Sequence, residues 1–199
     1  MVIKNTNKKL ALLLLKDFSR THTITSLAEE LSMSRVGVWK ILKQLESENF
    51  LILKAIGSGK TSTSIVKLNW DNIIVEKSLA LYLTEEALKQ RRWRINFSDL
   101  EKIVDFIILF GSVLYSSKEA KDIDIVIVSE KRNFVNIQKI LDKIQKTQIK
   151  KIHAINFTEE EFKEELKKPN KALLDAIKKG VILFGQEKLI QFIRTMVKK

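Results

Sequence analysis

Cysteine is absent from this chain of 199 residues, and proline occurs only once. Without cysteine the sequence offers no disulfide, no thiolate zinc site and no thiol nucleophile. It also lacks an apolar run of about 20 residues, the length that a membrane-spanning helix needs. Its hydrophobic content of 45% is typical of a globular protein, and the length suffices for one large or two small domains. We therefore expect a cytoplasmic protein.

Positive charge exceeds negative charge, with 36 Lys and Arg against 24 Asp and Glu and a net charge of +12. The excess is densest in residues 1–70, which hold eleven basic and five acidic side chains. Such an imbalance favours a polyanionic partner such as nucleic acid. A lysine-rich, AT-rich coding sequence would produce the same composition, so charge alone does not identify the partner.

Two apolar runs in the middle of the chain carry the most informative residues. The first run ends in Gly111-Ser112, and the second begins with Asp122-Ile123-Asp124. Residues two apart in a strand share one face, so the two aspartates are expected to project together while Ile123 faces the core. Paired carboxylates repel each other unless a cation lies between them, and Mg²⁺ suits such oxygen ligands and also binds substrate phosphates. The alternative is an ordinary turn before a buried strand with two surface aspartates.

The residues before the second run fit phosphate binding. Gly111 allows the backbone to approach a phosphate closely, and Ser112 adds a hydroxyl and an N–H donor. Together with the paired acids, these residues resemble the nucleotidyltransferase superfamily that includes DNA polymerase beta, whose signature is a Gly-Ser followed by an Asp-x-Asp strand. Residues 157–190 also resemble the tail found after stand-alone prokaryotic minimal nucleotidyltransferase domains.

The resemblance implies Mg²⁺-dependent transfer of a nucleoside monophosphate, usually AMP from ATP, to an acceptor. It implies that Gly111 and Ser112 hold the triphosphate, and Lys121, which stands where the superfamily often has Ser, is near enough to contribute to binding it. It further implies that Asp122 and Asp124 bind the metal and, with Ser112, form the catalytic set.

The chain departs from the superfamily pattern on the following strand. A third carboxylate is usual there, but the candidate positions in this chain hold His153 and Asn156. A histidine can act as a base near neutral pH, although a lone histidine on a strand is more often structural. Triphosphate binding is therefore expected, and the acceptor step is left open.

The N-terminal third is predicted to form three helices and a hairpin. The helices cover Lys8–Phe18, Thr23–Leu31 and residues 34–48, and the strands cover Phe50–Ala55 and Thr61–Leu68. Thr25 or Ser26 is expected to cap the second helix, and Ser34 the third. This segment resembles the winged helix-turn-helix of biotin-repressor-type regulators, which implies binding of double-stranded DNA. The implied DNA-binding residues are Arg35, Trp39, Lys40, Lys43 and Lys60. The alternative is a winged helix used for protein contacts or dimerisation.

The predicted fold class is α+β, with an N-terminal winged helix-turn-helix (residues 1–70) and a small mixed-sheet α/β nucleotidyltransferase domain (96–199). Residues 71–95 are predicted to be a linker helix. In the second domain we expect a strand at Phe106–Phe110, a helix after Ser112, strands at Ile123–Ser129 and Ile149–Asn156, and a short strand at Val181–Phe184.

Three functions remain open from the sequence, and the third of them is modification of RNA ends with the winged helix bound to RNA. The first is a DNA-binding nucleotidyltransferase, plausibly an autoregulating antitoxin that modifies a separate HEPN-type toxin, as the resemblance to minimal nucleotidyltransferases implies. The second is a transcriptional regulator whose transferase domain is degenerate and senses nucleotide. A homodimer is left open, and no membrane association is expected.

Overall fold

The computed structural model describes residues 5–57, 63–116, 118–168 and 171–197. The chain divides into two compact units, Met1–Tyr82 and Leu83–Lys199. Within the described residues the helices are α1 Asn5–Lys16, α2 Ile24–Glu30, α3 Arg35–Ser47, α4 Ile73–Lys89, α5 Arg91–Asn96, α6 Phe134–Gln145, α7 Glu159–Lys167, α8 Lys171–Lys179 and α9 Gln186–Val197. The strands are β1 His22–Thr23, β2 Leu51–Ile56, β3 Thr63–Leu68, β4 Phe106–Phe110, β5 Asp122–Val128, β6 Lys151–Phe157 and β7 Val181–Phe184. None of these helices is long and apolar enough to cross a membrane.

The first unit combines helices with a three-stranded antiparallel sheet in the order β1-β3-β2. The hairpin partners run from Leu51 opposite Leu68 to Ile56 opposite Thr63. Its core is aliphatic, because one side of each of the first three helices is apolar at helical spacing. The fully buried leucines of this core are Leu10, Leu15, Leu27, Leu42 and Leu79.

The cap of α2 differs from the expectation of Thr25 or Ser26. Thr23 is the N-cap, since its backbone is extended and its hydroxyl accepts a hydrogen bond from the Ser26 N–H at 3.2 Å. The Ser26 hydroxyl accepts in turn from the Thr23 N–H at 2.9 Å, which completes a capping box. The predicted cap of α3 is confirmed, because the Ser34 hydroxyl accepts from the Gly37 N–H at 3.1 Å.

The second unit contains a four-stranded mixed sheet in the order β6-β5-β4-β7. The pairs β4–β5 and β4–β7 are antiparallel, whereas β5 and β6 are parallel. The central strands β4 and β5 are almost entirely buried, so the sheet has apolar layers on both faces. The expected mixed α+β architecture is confirmed.

Each face of this sheet has its own core. On one face Ile123, Ile125 and Ile127 of β5 belong to a buried cluster with Ile137 and Leu141 of α6. The other face carries an aromatic cluster of Phe106 from β4, Phe162 from α7 and Phe192 from α9. Within this cluster the ring centroids of Phe106 and Phe162 lie 5.7 Å apart, and those of Phe162 and Phe192 lie 5.4 Å apart. Helices therefore cover both faces of β4 and β5.

The predicted helix after Ser112 is wrong. Among the described residues between β4 and β5, a 3-10 turn at Ser112–Leu114 is the only helical segment. The Ser116 hydroxyl accepts a hydrogen bond from the Glu119 N–H at 3.3 Å. Such side-chain bonds to nearby backbone compete with helix formation.

Candidate functional site

Asp122 and Asp124 lie at the beginning of β5, on the same face of the sheet. Both carboxylates approach Nδ1 of His153, whereas Ile123 between them is fully buried in the core. The exposed fractions of the two aspartate side chains are 39% and 29%. Neither carboxylate has a hydrogen-bond partner among the residues that the structure describes. Two half-exposed acids with free oxygen lone pairs are suited to bind a cation.

Gly111 lies in direct contact with this acid pair. It follows β4, whose last residue, Phe110, is paired with Asp124 across the antiparallel ladder. The φ angle of Gly111 is 81°, and a Cβ atom built there would lie 2.4 Å from Oδ2 of Asp124. Both the left-handed backbone and the missing space exclude a side chain. The glycine thus brings the turn after β4 against a carboxylate of β5.

Ser112 and Lys121 both precede the two acids in the sequence. The Ser112 carbonyl accepts hydrogen bonds from the N–H groups of Tyr115 and Ser116 at 3.0 and 3.1 Å, which fix the turn. The Ser112 side chain is exposed, and its hydroxyl has no partner in the described part of the chain. Lys121 is exposed and directly precedes Asp122. An exposed hydroxyl therefore directly follows Gly111 in the sequence, and an exposed ammonium group directly precedes Asp122.

His153 is the third side chain of the site, and it comes from the parallel neighbour β6. Its register partner on β5 is Asp124. The distance from Nδ1 of His153 is 3.6 Å to Oδ1 of Asp124 and 4.0 Å to Oδ2 of Asp122. Both distances are too long for hydrogen bonds. The sequence raised His153 as a replacement for the usual third acid, and strand pairing places it beside the pair.

Two residues that the sequence did not indicate hold the strands of the site in place. The Lys150 ammonium donates to the carbonyls of Ala120 and Lys118, the latter at 3.3 Å, in the loop before Asp122. The Gln145 amide oxygen accepts from the Ile152 N–H at 2.8 Å, next to His153. The Lys150 contacts join residues 30 and 32 positions apart in the sequence, so no local pattern could have revealed them.

Lys179 at the end of α8 is held by a charged neighbour. Its ammonium lies 2.9 Å from a carboxylate oxygen of Asp175. This hydrogen bond, and then the charge of Asp175, raise the pKa of Lys179 above its ordinary value. The Tyr115 phenol, in the turn after Ser112, acts weakly in the same direction. Lys179 therefore stays cationic across the physiological pH range.

Comparison with known protein families gives one match, which covers this site. Residues 91–179 match the family model described as nucleotidyltransferase domain. This segment of the chain is therefore similar to nucleotidyltransferase domains. Comparisons with curated proteins and with solved structures gave no significant match.

The matched segment contains all the predicted triphosphate and metal residues, and the structure brings Gly111, Asp122 and Asp124 together. Domains of this class use a nucleoside triphosphate and a divalent metal ion. The carboxylate oxygens fit such an ion chemically, and the absence of a side chain at Gly111 lets the turn after β4 lie against Asp124. As the side chains stand, the described residues contain no group of three or more acidic, histidine or cysteine side chains ready to hold a metal ion. A metal site with three protein ligands here therefore requires side-chain rotation.

Four of the five predicted DNA-binding residues of the first unit lie on α3. Arg35 and Lys40 are exposed, and Trp39 keeps 38% of its surface accessible. Lys43 is already engaged, since its ammonium lies 2.7 Å from Glu46 and 4.8 Å from the centre of the Trp39 ring. Lys60 lies outside the described residues.

Proposed function

We propose that the nucleotidyltransferase domain transfers a nucleoside monophosphate, AMP from ATP, to an acceptor hydroxyl on a partner molecule. The observation that carries this proposal is the contact of Gly111 with Asp124, which sets a side-chain-free backbone turn against one of two carboxylates on the same face. A triphosphate needs both features: backbone without side chains at its phosphates and acids that bind its metal.

In this proposal each residue has a defined part. Asp122 and Asp124 bind a divalent ion, Mg²⁺ by resemblance, which supplies positive charge against the phosphate oxygens. Gly111 and Ser112 receive the β- and γ-phosphates, and Lys121 adds a positive charge. The acceptor oxygen then bonds to the α-phosphorus as the bond to pyrophosphate breaks. The acceptor proton is released and pyrophosphate leaves.

We further propose that the first unit is a winged helix-turn-helix that binds double-stranded DNA. Arg35, Trp39 and Lys40 form an exposed basic and aromatic edge of α3, as a groove-binding helix requires. In the combined function the protein is an autoregulating antitoxin, which represses its own operon and modifies a HEPN-type toxin carried on a separate chain.

One observation favours an alternative function. The third side chain at the acid pair is His153 rather than a carboxylate. A regulator that binds nucleotide through a degenerate transferase domain, without transferring it, would have no need of the third acid. The two functions differ in whether a product forms.

The test is incubation with α-labelled ATP, Mg²⁺ and the protein encoded beside this one. Transfer of label to that protein supports the enzyme, and the double variant Asp122→Asn/Asp124→Asn should abolish it. A matched control is Asp99→Asn/Asp142→Asn, which removes two exposed acids elsewhere in the same unit. Labelling that persists in the first variant would remove the acid pair from the mechanism. Nucleotide binding without any labelled product would favour the nucleotide-sensing regulator.

A further inference from the structure

We propose that His153 is a ligand of the same metal site as Asp122 and Asp124, and that this mixed donor set selects Mn²⁺ over Mg²⁺. The proposal rests on the proposed function, because it identifies the ion that the acid pair binds. Its basis is the register of β5 and β6, which places a histidine where it faces both carboxylates.

The distances are those of groups able to share one ion. Metal–ligand bonds of about 2.1 Å in an octahedron place neighbouring ligands about 3.0 Å apart and opposite ligands about 4.2 Å apart. Nδ1 of His153 lies 3.6 Å from Asp124 Oδ1 and 4.0 Å from Asp122 Oδ2, between these two limits. Rotation of the side chains is needed to bring the three atoms onto a common centre.

The side chains are free to make these rotations. The two carboxylates and the imidazole have no hydrogen bonds within the described residues, so no existing bond must break. All three side chains are partly exposed, with 46% of His153 accessible. The strand backbones beneath them are held by the ladder and by the Gln145 contact to Ile152. The scaffold is thus fixed while the ligands can adjust.

The donor chemistry decides the metal preference. Mg²⁺ prefers oxygen ligands and binds imidazole poorly, whereas first-row transition ions accept nitrogen readily. Mn²⁺ shares the octahedral habit and the affinity for carboxylates and phosphates, so it suits two acids, an imidazole and a triphosphate. With His153 in place of a third carboxylate, the site should therefore bind Mn²⁺ in preference to Mg²⁺.

Pulsed electron paramagnetic resonance of Mn²⁺ bound to the full chain, without nucleotide, tests the ligand directly. A coordinated imidazole produces nitrogen-14 modulation of the Mn²⁺ echo. The chain has only two histidines, and the other, His22, is buried in the first unit with Nε2 3.0 Å from the Asp17 carbonyl oxygen. We expect the modulation in the wild type and its loss in His153→Asp, which retains His22. Equal modulation in both proteins, or none in the wild type, would overturn the proposal.

Calorimetric titration with Mn²⁺ and with Mg²⁺ measures the selectivity. The ratio of the Mg²⁺ Kd to the Mn²⁺ Kd should fall several-fold in His153→Asp, because the third donor becomes oxygen. His153→Ala should weaken Mn²⁺ binding more than Mg²⁺ binding. If His153→Ala instead binds both ions more tightly, the imidazole competes with the metal as a cation and is not a ligand. Thermal melting of each variant verifies that it is folded.

These experiments distinguish failure of the His153 proposal from failure of the proposed function. If the nitrogen signal is absent but Asp122→Asn/Asp124→Asn abolishes Mg²⁺-dependent labelling, only the role of His153 fails. If the aspartate variant binds Mn²⁺ as well as the wild type does, both proposals lose their metal site.

Discussion

The carboxylate of Asp124 fills the space that a side chain on Gly111 would need, since a Cβ there would lie 2.4 Å from Oδ2. The two residues come from adjacent antiparallel strands, and Phe110 is the register partner of Asp124. The position of the Asp124 carboxylate therefore depends on the absence of a side chain at Gly111. In this way the expected phosphate-binding turn and the expected metal-binding acid are sterically coupled.

Gly111→Ala should damage both stability and ligand binding. The left-handed backbone costs a non-glycine residue about 1–2 kcal/mol, and the new Cβ must displace the Asp124 carboxylate. We expect a lower midpoint of urea unfolding and a large loss of affinity for Mg²⁺–ATP, measured by calorimetry. Ser112→Ala is the matched control for the backbone effect, because the exposed hydroxyl can be removed without strain. That variant should unfold like the wild type and lose affinity only modestly. Wild-type affinity in Gly111→Ala would contradict the role of this contact.

Lys150→Met should weaken nucleotide binding through the loop before Asp122. The ammonium joins the carbonyls of Lys118 and Ala120 to the beginning of β6, and methionine keeps the length of the side chain without the donor. We expect a rise in the Kd for Mg²⁺–ATP with a small decrease in Tm. Lys146→Met, an exposed lysine at the end of α6, is the control and should bind normally. Partial recovery in Lys150→Arg would support a hydrogen-bonding role, whereas an equal loss in Lys146→Met would indicate a general effect of charge.

Lys40→Ala should reduce binding to double-stranded DNA more than Lys43→Ala does. Lys40 is exposed on α3. The Lys43 ammonium instead contacts Glu46 and the Trp39 ring, and these contacts would have to break before it could bind a phosphate. Fluorescence anisotropy with a duplex from upstream of the protein's own gene, over a series of salt concentrations, measures both affinity and slope. Loss of one phosphate contact should reduce the magnitude of the negative slope of log K against log salt concentration by about 0.9. Lys139→Ala in the second unit is the control. Unchanged affinity in Lys40→Ala would show that α3 does not contact the duplex.

Phe162→Ala should destabilise the second unit strongly. Phe162 is fully buried and contacts both Phe106 and Phe192, so its loss leaves a cavity beneath the sheet that carries the acids. The expected decrease in the free energy of unfolding is about 3–5 kcal/mol. Urea denaturation of the full chain measures it, and Phe162→Leu should lose less because it retains most of the volume. A decrease below about 1 kcal/mol for the alanine variant would contradict the core assignment.

Much of the local structure follows from the sequence alone. The alternation of β5 predicts that Asp122 and Asp124 share a face opposite the buried Ile123, because the side-chain period of a strand is two. The bounds of β4 and β7 agree with the prediction, since short apolar runs define them locally. The helix predicted after Ser112 is wrong because a serine turn competes with helix formation there.

The composition of the site was decided by the tertiary structure. Nothing in the local sequence states that His153 lies beside Asp124, that Lys150 holds the loop before Asp122, or that Gly111 touches a carboxylate. These contacts depend on strand order and register, and a shift of one residue would turn each side chain to the other face. The sequence determines which residues carry the chemistry and which face they share, whereas long-range strand pairing determines which of them meet.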